Sequence, residues 1–398
     1  MVALDDLDNF AAPAAWQGLE RYLGTTLRSS LRTAVDRLRR QSDVLDAQLR
    51  AADTADELEQ VRRNVVRFRA RVLRTETALD FYGDAVNTRT NPRLATLLAA
   101  CDVLSRRSLE AVLGPLGQPV PPVLTYIDKG LGASILRSGL RLWDGRAMSA
   151  AAAIKITRHN LYRPTACLHE AGHQAAFSLG WNEELAATLA RELADIPAVA
   201  DVWAGWASEI AADTFAFGHV GYAAVATLHD VIAGEPASVF ALRPLDPHPI
   251  AYLRVLLGTQ MATRFYGAGP WDDLQRAWMR AHPIESAPDV LQELLSASVT
   301  RLPRVVEACL VRPMKAFGGR PFTALVDPAR VRPDALAQLA RDAGPALFTS
   351  SHWIWTECLR LLALSGFRAA TEPERSTEIA EQFESWMLRL GRGMEAAA

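Results

Sequence analysis

The chain has 398 residues, of which 49% are hydrophobic and 22% are charged, a composition that excludes an intrinsically disordered protein. Its formal net charge of −2 gives the protein no overall positive potential that would attract nucleic acid, and we predict no nucleic-acid partner. No run of about 18 apolar residues occurs, so we predict no membrane span. The four cysteines form no CxxC pair, which argues against a disulfide framework and a thiolate zinc site.

The N-terminal sequence MVALDDLDNFAAPAAW is acidic. It lacks the basic and apolar regions of a secretory signal peptide. We therefore expect a cytoplasmic protein, unless export uses a route that needs no cleaved signal.

The first part of the chain carries helical patterns, in which apolar residues recur every three or four positions. They are Leu27, Leu31, Val35, Leu38, Leu45 and Leu49 in one run, and Leu58, Val61, Val65, Phe68 and Val72 in the next. Between the runs, Thr54 and Glu57 form the pattern of a capping box that starts the second helix. We predict an antiparallel hairpin of two long helices within a helical N-terminal domain.

Arginines occupy positions 62, 63, 67, 69, 71 and 74, with no acidic residue among them. The pattern favours a solvated helix face that pairs with acids on the neighbouring helix. A binding stripe for an anionic partner is the alternative, and the hairpin could also dock a partner protein.

The segment LGPLGQPVPPVL, residues 113–124, is rich in proline and glycine and indicates a domain boundary. The sequences VLTYID and ASILRSGLRLWDG that follow contain β-branched and alternating apolar residues, and they are the convincing strand material of the chain. Helical patterns then continue to the C-terminus. We predict a mainly α fold with a small β-sheet, divided into a helical domain 1–115, a core 116–270 and a helical region 271–398.

The sequence RPTACLHEAGHQAAFSLGW, residues 163–181, contains the pattern H-E-x-x-H. Pro164 suits the first turn of a helix, and Gly180 suits its C-terminal end. Residues 164–179 are therefore predicted to form one helix.

Within this helix, His169 and His173 are separated by about 400° of turn and about 6 Å of rise, so both rings project from one face. Zinc accepts neutral imidazole nitrogens at about 2.0 Å, and this pair supplies two of its four positions. Glu170 lies about 100° around the helix, where it can take a proton from water that the metal activates. The alternative is a polar face on a buried helix.

A third ligand is offered by WASEIAADTFAFG, residues 206–218, which places Glu209 and Asp213 on one helical face. A catalytic zinc keeps three protein ligands and leaves its fourth position to water. Glu209 completes such a set, and Asp213 can accept the free ring N–H of a ligand histidine. A solvated acidic pair is the alternative, but this helix is mostly apolar, and buried carboxylates need a cation or strong donors.

The sequence HEAGH followed by E-x-x-x-D resembles the gluzincin branch of zinc metallopeptidases, whose best-known members share a thermolysin-like catalytic core. The resemblance implies a zincin core, with Zn²⁺ held by His169, His173 and Glu209. It also implies that Glu170 is the general base, and that Asp213 orients the first ligand histidine.

The gap between His173 and Glu209 is longer than in the simplest members of that branch. An extra helix in NEELAATLARELADIP, residues 182–197, accounts for the excess. Three other carboxylates fall in or near this insertion and are alternative ligands; they are Glu183, Glu184 and Glu192.

The segment LDPHPIAYLRV contains His248, a proline and then Arg254, and is similar to an H-P-x-x-x-x-R element of membrane-associated and minimal gluzincins. The resemblance implies that His248 hydrogen-bonds the reaction's oxyanion while Arg254 holds the local fold. A loop histidine between two prolines is the alternative. Weaker candidates for the oxyanion donor are His282, Tyr222 and Tyr252.

These patterns predict a zinc metallopeptidase that hydrolyses peptide bonds with Glu170 as general base. Peptide as the substrate comes from the resemblance, as does ASILRSG, residues 133–139, as the strand that aligns it. The G-x-M-E-N pattern of aminopeptidases is missing, which favours an endopeptidase or a dedicated processing enzyme. The alternatives are a non-catalytic binding or regulatory protein on a zincin fold, or a protease secreted as an effector.

Overall fold

The computed structural model describes residues 16–17, 27–128, 133–137, 151–243 and 246–395. Within these ranges the chain is mainly helical with one small sheet, which confirms the predicted fold class. No helix in them combines the length and the apolar character that crossing a bilayer requires.

Two long helices form the predicted hairpin, α1 (Leu27–Ala51) and α2 (Ala55–Asn87). The capping box at the start of α2 is present. The Thr54 hydroxyl accepts the backbone N–H of Glu57 at 3.3 Å, and the Glu57 carboxylate accepts the backbone N–H of Thr54 at 3.1 Å. These bonds satisfy donors that the first turn of a helix leaves without a partner, so they fix where α2 begins.

Two arginines of α2 pair with an acid of their own helix. Glu59 lies 2.7 Å from Arg62 and 3.4 Å from Arg63, whereas Arg71 donates to the amide oxygen of Gln41 on α1 at 3.2 Å. Among the described residues, the acid that pairs with these arginines therefore lies on α2 itself and not on α1, the neighbouring helix.

Helix α3 (Pro92–Leu113) follows the hairpin, and strand β1 (Val123–Ile127) follows α3. The fully buried Asp102 of α3 accepts the backbone N–H of Thr125 at 2.6 Å and the guanidinium of Arg89 at 2.7 Å. A buried carboxylate needs such donors, and here they tie the helix to the strand.

The sheet has three strands in the order β1, β3, β2, with β2 at Ser134–Leu136 and β3 at Ala152–Ile156. Strand β3 runs parallel to β1 and antiparallel to β2. The predicted strands at 123–128 and 133–139 correspond to β1 and β2, and residues 138–139 lie outside the described ranges.

The central strand β3 was not among the segments that the sequence indicated as strands. Its sequence AAIKI begins with two alanines, a residue type that favours helices and is depleted in strands. Ala152, Ala153, Ile154 and Ile156 are all buried, because the strand has a neighbour on each side and packed layers on each face. Small side chains fit this crowded position.

The open end of the hairpin covers one face of the sheet. Leu38 of α1 and Tyr82 of α2 share a buried apolar cluster with Leu124 and Tyr126 of β1 and Ala153 of β3. The hairpin is thus anchored through the strands, while its far end, around residue 53, is exposed.

The described part of the chain after β3 is mainly helical. Its helices are α4 (Thr165–Leu179), α5 (Trp181–Glu192), α6 (Pro197–Gly205), α7 (Ala207–Val220), α8 (Tyr222–Ile232), α9 (Pro236–Val239), α10 (Ala251–Tyr266), α11 (Pro270–Ala281), α12 (Asp289–Val306), α13 (Pro333–Ala343), α14 (Ser351–Thr371) and α15 (Ser376–Glu395).

One cluster of buried apolar side chains extends from Leu97 in α3 to Leu390 in α15. It includes residues from β3, from α4 and from the helices after residue 270. Segments on both sides of the two predicted boundaries contribute to it. The division into 1–115, 116–270 and 271–398 stays a prediction.

Candidate metal centre

The H-E-x-x-H motif lies on α4, with the helix limits that the sequence indicates. Pro164 precedes the first helical residue, and Gly180 ends the helix with φ of 64°, a left-handed conformation that glycine adopts without strain. The rings of His169 and His173 face each other edge to face, with centroids 4.8 Å apart and planes at 86°. The two imidazoles therefore lie on one face, as predicted.

Helix α7 crosses α4 at a close contact between small residues. A Cβ atom added to Gly172 would lie 2.8 Å from the Cα of Ala212 and 2.9 Å from the Cβ of Phe215. Only glycine allows the two backbones to approach so closely. This contact brings Glu209, on the first turn of α7, opposite the two histidines of α4.

The side chains of His169, His173 and Glu209 converge, and their ligand atoms all lie within 4.8 Å of one another. Nε2 of His169 is 3.3 Å from Oε2 of Glu209, and Nε2 of His173 is 3.2 Å from Oε1. A tetrahedral zinc with bonds of about 2.0–2.1 Å spaces its ligand atoms about 3.4 Å apart. Two nitrogens and a carboxylate at these separations could hold a metal ion.

The second ring nitrogen of each histidine is also engaged. Nδ1 of His169 lies 2.8 Å from Oδ1 of Asp213, and Nδ1 of His173 lies 3.3 Å from Oγ of Ser208. Both rings therefore direct Nε2 toward Glu209, the arrangement in which a polar partner fixes the tautomer of a ligand histidine. The sequence pointed to Asp213 through the E-x-x-x-D spacing. It gave no signal for Ser208.

Arg254 of α10 supplies a buried positive charge next to these acids. Its Nε lies 2.5 Å from Oδ2 of Asp213, and its Nη2 lies 2.9 Å from Oδ1 of Asp213 and 3.3 Å from Oε2 of Glu209. Burial opposes ionisation of Asp213, but Arg254 and His169 lower its pKa to about 2.

Glu209 is held as a carboxylate for similar reasons. Burial opposes its ionisation, but hydrogen bonds from His169 and His173 and the charge of Arg254 hold its pKa well below its usual range. Burial also disfavours the charged form of His169, yet the bonds to Asp213 and Glu209 raise its pKa to about 10. A proton therefore competes with a metal ion for His169.

Glu170 is placed differently from the other acids. It is buried and lines the cavity, yet its carboxylate makes no hydrogen bond with any residue of the described ranges. Burial raises the pKa of Glu170 above its usual range. A carboxylate with a raised pKa and free oxygens is suited to accept and release a proton.

The site opens into a cavity of about 580 Å³. His169, Glu170 and Glu209 line its floor, and Val225 and Met261 belong to its apolar wall. Ala133, next to the edge strand β2, also lines it.

His248 lies at the mouth of this cavity, with 57% of its side chain exposed. Its Nε2 is 3.6 Å from Oε2 of Glu209. The structure therefore brings His248 to the site, together with Asp246, whose carboxylate lies 2.6 Å from Nδ1 of His248. The sequence gave no role to Asp246.

The alternative carboxylate ligands lie elsewhere. Glu184 accepts the backbone N–H groups of Lys315 and Ala316, each at 2.8 Å, and Glu192 pairs with an arginine of the C-terminal part. Glu183 borders a different surface pocket. The insertion that separates the two motif helices consists of α5 and α6, so the extra helix that we predicted there is present and is followed by a second.

The alternative oxyanion donors also lie outside the lining of the cavity. The ring of Tyr222 packs 5.6 Å from Trp271, and that of Tyr252 packs 5.2 Å from Phe240. His282 is buried with its ring 4.3 Å from that of an adjacent tryptophan on α11. These three side chains contribute to apolar packing.

No family model, curated protein or solved structure matches the chain. The support for a zincin-like site is therefore geometric. It consists of two histidines and a glutamate that could hold a metal ion, with a second buried glutamate, Glu170, lining the same cavity.

Proposed function

We propose that the protein is a zinc-dependent peptidase. The observation that carries the proposal is the position of Glu170, which is buried, free of hydrogen bonds within the described ranges and next to the convergent ligand atoms of His169, His173 and Glu209. Burying a carboxylate without a hydrogen-bond partner is unfavourable, and a site that only binds a metal does not require such a group.

The donor set fits zinc. Two neutral imidazoles and one carboxylate are the ligands of a His₂Glu catalytic site, whereas structural zinc sites are closed by four protein ligands. Here the fourth side opens into the cavity of about 580 Å³. Bound zinc would supply a Lewis acid for the carbonyl oxygen and would lower the pKa of water to about 7.

In the proposed reaction Glu170 moves the proton. Its carboxylate takes a proton from the attacking water as the bond from water oxygen to carbonyl carbon forms. It then passes this proton to the amine nitrogen as the carbon–nitrogen bond breaks. The raised pKa of Glu170 suits both halves of this transfer.

His248 is the proposed donor to the carbonyl oxygen, which gains negative charge during attack. Its Nε2 lies at the cavity mouth beside Glu209. A donor aimed at developing charge contributes about 3–4 kcal/mol in related chemistry. Arg254 is proposed to hold Asp213, and through it the orientation of His169. Peptide as the substrate class rests on the gluzincin resemblance.

The test is Glu170→Gln, compared with wild type for zinc content by elemental analysis and for cleavage of a mixed peptide library. We expect one zinc per chain in both proteins and hydrolysis only in the wild type. Glu183→Gln, which changes an acid outside the cavity, is the matched control and should remain active. Hydrolysis by Glu170→Gln at the wild-type rate would reject the mechanism.

A second candidate is a binding or regulatory protein that uses the same scaffold. It is favoured by apolar side chains exposed along the hairpin, among them Val44, Val66 and Leu73, which are 56%, 55% and 61% exposed. Val66 and Leu73 are seven residues apart on α2 and therefore share one face of that helix, and an exposed apolar face is a feature of docking surfaces. This candidate predicts that Glu170→Gln changes no measurable property, so the same experiment separates the two.

A further inference from the structure

The N-terminal end of α4 borders the cavity one turn before His169. Thr165, the first residue of the helix, and Ala166 both line the cavity. Thr165 is four residues before His169, so the two side chains share one face of the helix and are about 6 Å apart along its axis. Pro164 at the N-cap position provides no side-chain cap. The backbone N–H groups of Thr165 and Ala166 have no hydrogen-bond partner in the described ranges, and free N–H groups at a helix start attract anions.

Asn160, five residues before Thr165, adds an amide group to the cavity lining and is only 3% exposed. Its Oδ1 accepts the backbone N–H of Thr157 at 3.1 Å and the Thr157 hydroxyl at 2.6 Å. Because a backbone N–H can only donate, the atom that faces it is the amide oxygen, and the NH₂ group points away from Thr157. This NH₂ group has no hydrogen-bond partner in the described part of the chain and is not fully enclosed, so it is open to the cavity.

The hydroxyl of Thr165 is a further donor without a partner. Thr165 is 5% exposed, and no residue of the described ranges hydrogen-bonds its hydroxyl. The acids Glu209 and Asp213, which line the same cavity, are bonded to Arg254 instead. Buried polar groups without a partner are unfavourable, so these donors are suited to a ligand that accepts their hydrogens.

The chemistry of these donors favours a carboxylate. The amide NH₂ of Asn160, the hydroxyl of Thr165 and the two backbone N–H groups can all donate, and the start of a helix carries a partial positive charge. A carboxylate offers about four acceptor sites, whereas an amide offers about two and adds N–H groups that these donors cannot accept. In a peptide a carboxylate comes either from an aspartate or glutamate side chain or from the C-terminus.

We propose that Asn160, Thr165 and the free N–H groups at the start of α4 form a subsite for a carboxylate of the substrate. The inference rests on the proposed function and names its substrate class, which is peptides with an acidic group near the cleaved bond. Thr165 lies about 6 Å from His169 along the helix, and an extended chain spans about 3.3–3.6 Å per residue. The carboxylate therefore belongs to a residue within about two positions of that bond.

The test compares peptides that differ only in charge. The full-length, zinc-loaded chain is given a mixed peptide library with free C-termini and the same library with amidated C-termini, and the cleaved bonds are read by mass spectrometry. We expect kcat/KM to be about tenfold or more higher for a peptide with the carboxylate than for its amide counterpart, because hydrogen bonds to a charged acceptor are strong. A preference for Glu over Gln identifies a side chain as the source, and dependence on a free C-terminus identifies the terminal carboxylate.

Two substitutions then locate the preference, measured at pH 8. Asn160→Asp keeps the oxygen that Thr157 requires and replaces the NH₂ group by a second oxygen, so kcat/KM for the acidic peptide should fall about tenfold or more. The value for its amide counterpart should change less than about twofold. Thr165→Val keeps the side-chain shape, removes the hydroxyl and should cause a smaller loss in the same direction; it also serves if Asn160→Asp does not fold.

The matched control is Asn64→Asp, the same substitution on α2 outside the cavity, which should leave both kcat/KM values unchanged. A readout without turnover is calorimetry with the Glu170→Gln chain, which should bind the acidic peptide more tightly than its amide counterpart. Urea unfolding checks that each variant is folded.

Equal kcat/KM for acidic peptides and their amide counterparts would overturn the subsite while leaving peptide hydrolysis intact. The subsite would also be overturned if Arg243→Gln, which removes an exposed cation of the cavity lining, abolished the preference while Asn160→Asp and Thr165→Val kept it. A wild-type chain that binds zinc but cleaves no peptide of either library would instead reject the proposed function, and the subsite with it.

Discussion

Arg254 and Asp213 are joined by two hydrogen bonds inside the protein, from Nε to Oδ2 at 2.5 Å and from Nη2 to Oδ1 at 2.9 Å. The same Nη2 also reaches Glu209 at 3.3 Å. One guanidinium on α10 therefore compensates two acids on α7. These acids in turn contact both histidines of α4. The charge on α10 is thus part of what stabilises the approach of α4 and α7.

Replacing Arg254 by Met should destabilise the protein most when no metal is bound. Breaking a buried ion pair by removing one partner is unfavourable by about 3–5 kcal/mol, because the remaining charge stays buried. Added zinc restores a positive charge near Glu209, so the difference from wild type should shrink. The measurement is urea unfolding with chelator and with zinc. Arg264→Met, which breaks an exposed pair with Glu307, is the control. Equal stability of Arg254→Met and wild type in chelator would contradict this account.

The two groups that orient the histidines should differ in their effect on zinc affinity. Asp213→Asn removes a charged contact of 2.8 Å with His169, and we expect zinc to bind about 10–100-fold more weakly. Ser208→Ala removes a neutral contact of 3.3 Å with His173, so its effect should be smaller than tenfold. Competition with a chromogenic chelator measures both. The reverse order of effects would show that Asp213 does not orient His169.

Gly172→Ala should weaken both folding and metal binding, since the added Cβ would lie 2.8 Å from the backbone of Ala212. Overpacking of this kind costs about 1–3 kcal/mol, and the helices must separate to relieve it. Because α7 carries Glu209, zinc affinity should fall with stability. Gly205→Ala introduces the same methyl group where no atom lies within 4 Å, and it should leave both properties unchanged. Unfolding curves measure the stability of the two variants, and zinc titrations measure their zinc affinity. Equal results for Gly172→Ala and Gly205→Ala would contradict the prediction.

His219 should make the protein sensitive to acid. It is buried beside Phe215, its Nε2 has no partner in the described part of the chain, and burial lowers its pKa from 6.5 to about 3. Between these values the unfolded chain binds a proton that the folded chain does not. Stability should therefore fall as pH drops from 6.5 toward 3, by at most about 1.4 kcal/mol per pH unit from this group.

His219→Leu should flatten that part of the profile. The measurement is the free energy of unfolding by urea at several pH values for the variant and for wild type. Parallel profiles for the two proteins would show that His219 is not the source of the acid sensitivity.

The parts of the site that the sequence could predict are those with a local signal. Pro164 and Gly180 mark the ends of the motif helix, and the spacing of His169 and His173 alone puts their rings on one face. The E-x-x-x-D spacing pointed to Glu209 through the expected chemistry of a third ligand. Each of these inferences needs only one helix and the rules of helical geometry.

The parts that could not be predicted depend on contacts between distant segments. The alanines in β3 favour a helix when the sequence is taken alone. In the structure the strand lies between two others and is buried, and small side chains fit there. Ser208 and Asp246 have no distinguishing neighbours in sequence, and their roles follow from where α7 and the segment before α10 come to lie. The sequence around Gly172 also gives no signal, because the role of this glycine is to leave space for Ala212 of the facing helix.

The groups around the candidate centre also bear on what metal binding would change. The pKa of His169 is raised to about 10, so without a metal the His169 imidazolium and the Arg254 guanidinium balance the carboxylates of Glu209 and Asp213. A bound dication would displace the proton of His169 and leave the region with one more positive charge. Burial disfavours the anion of the neighbouring Glu170, so this added charge would lower its pKa and favour the carboxylate that can accept a proton from water.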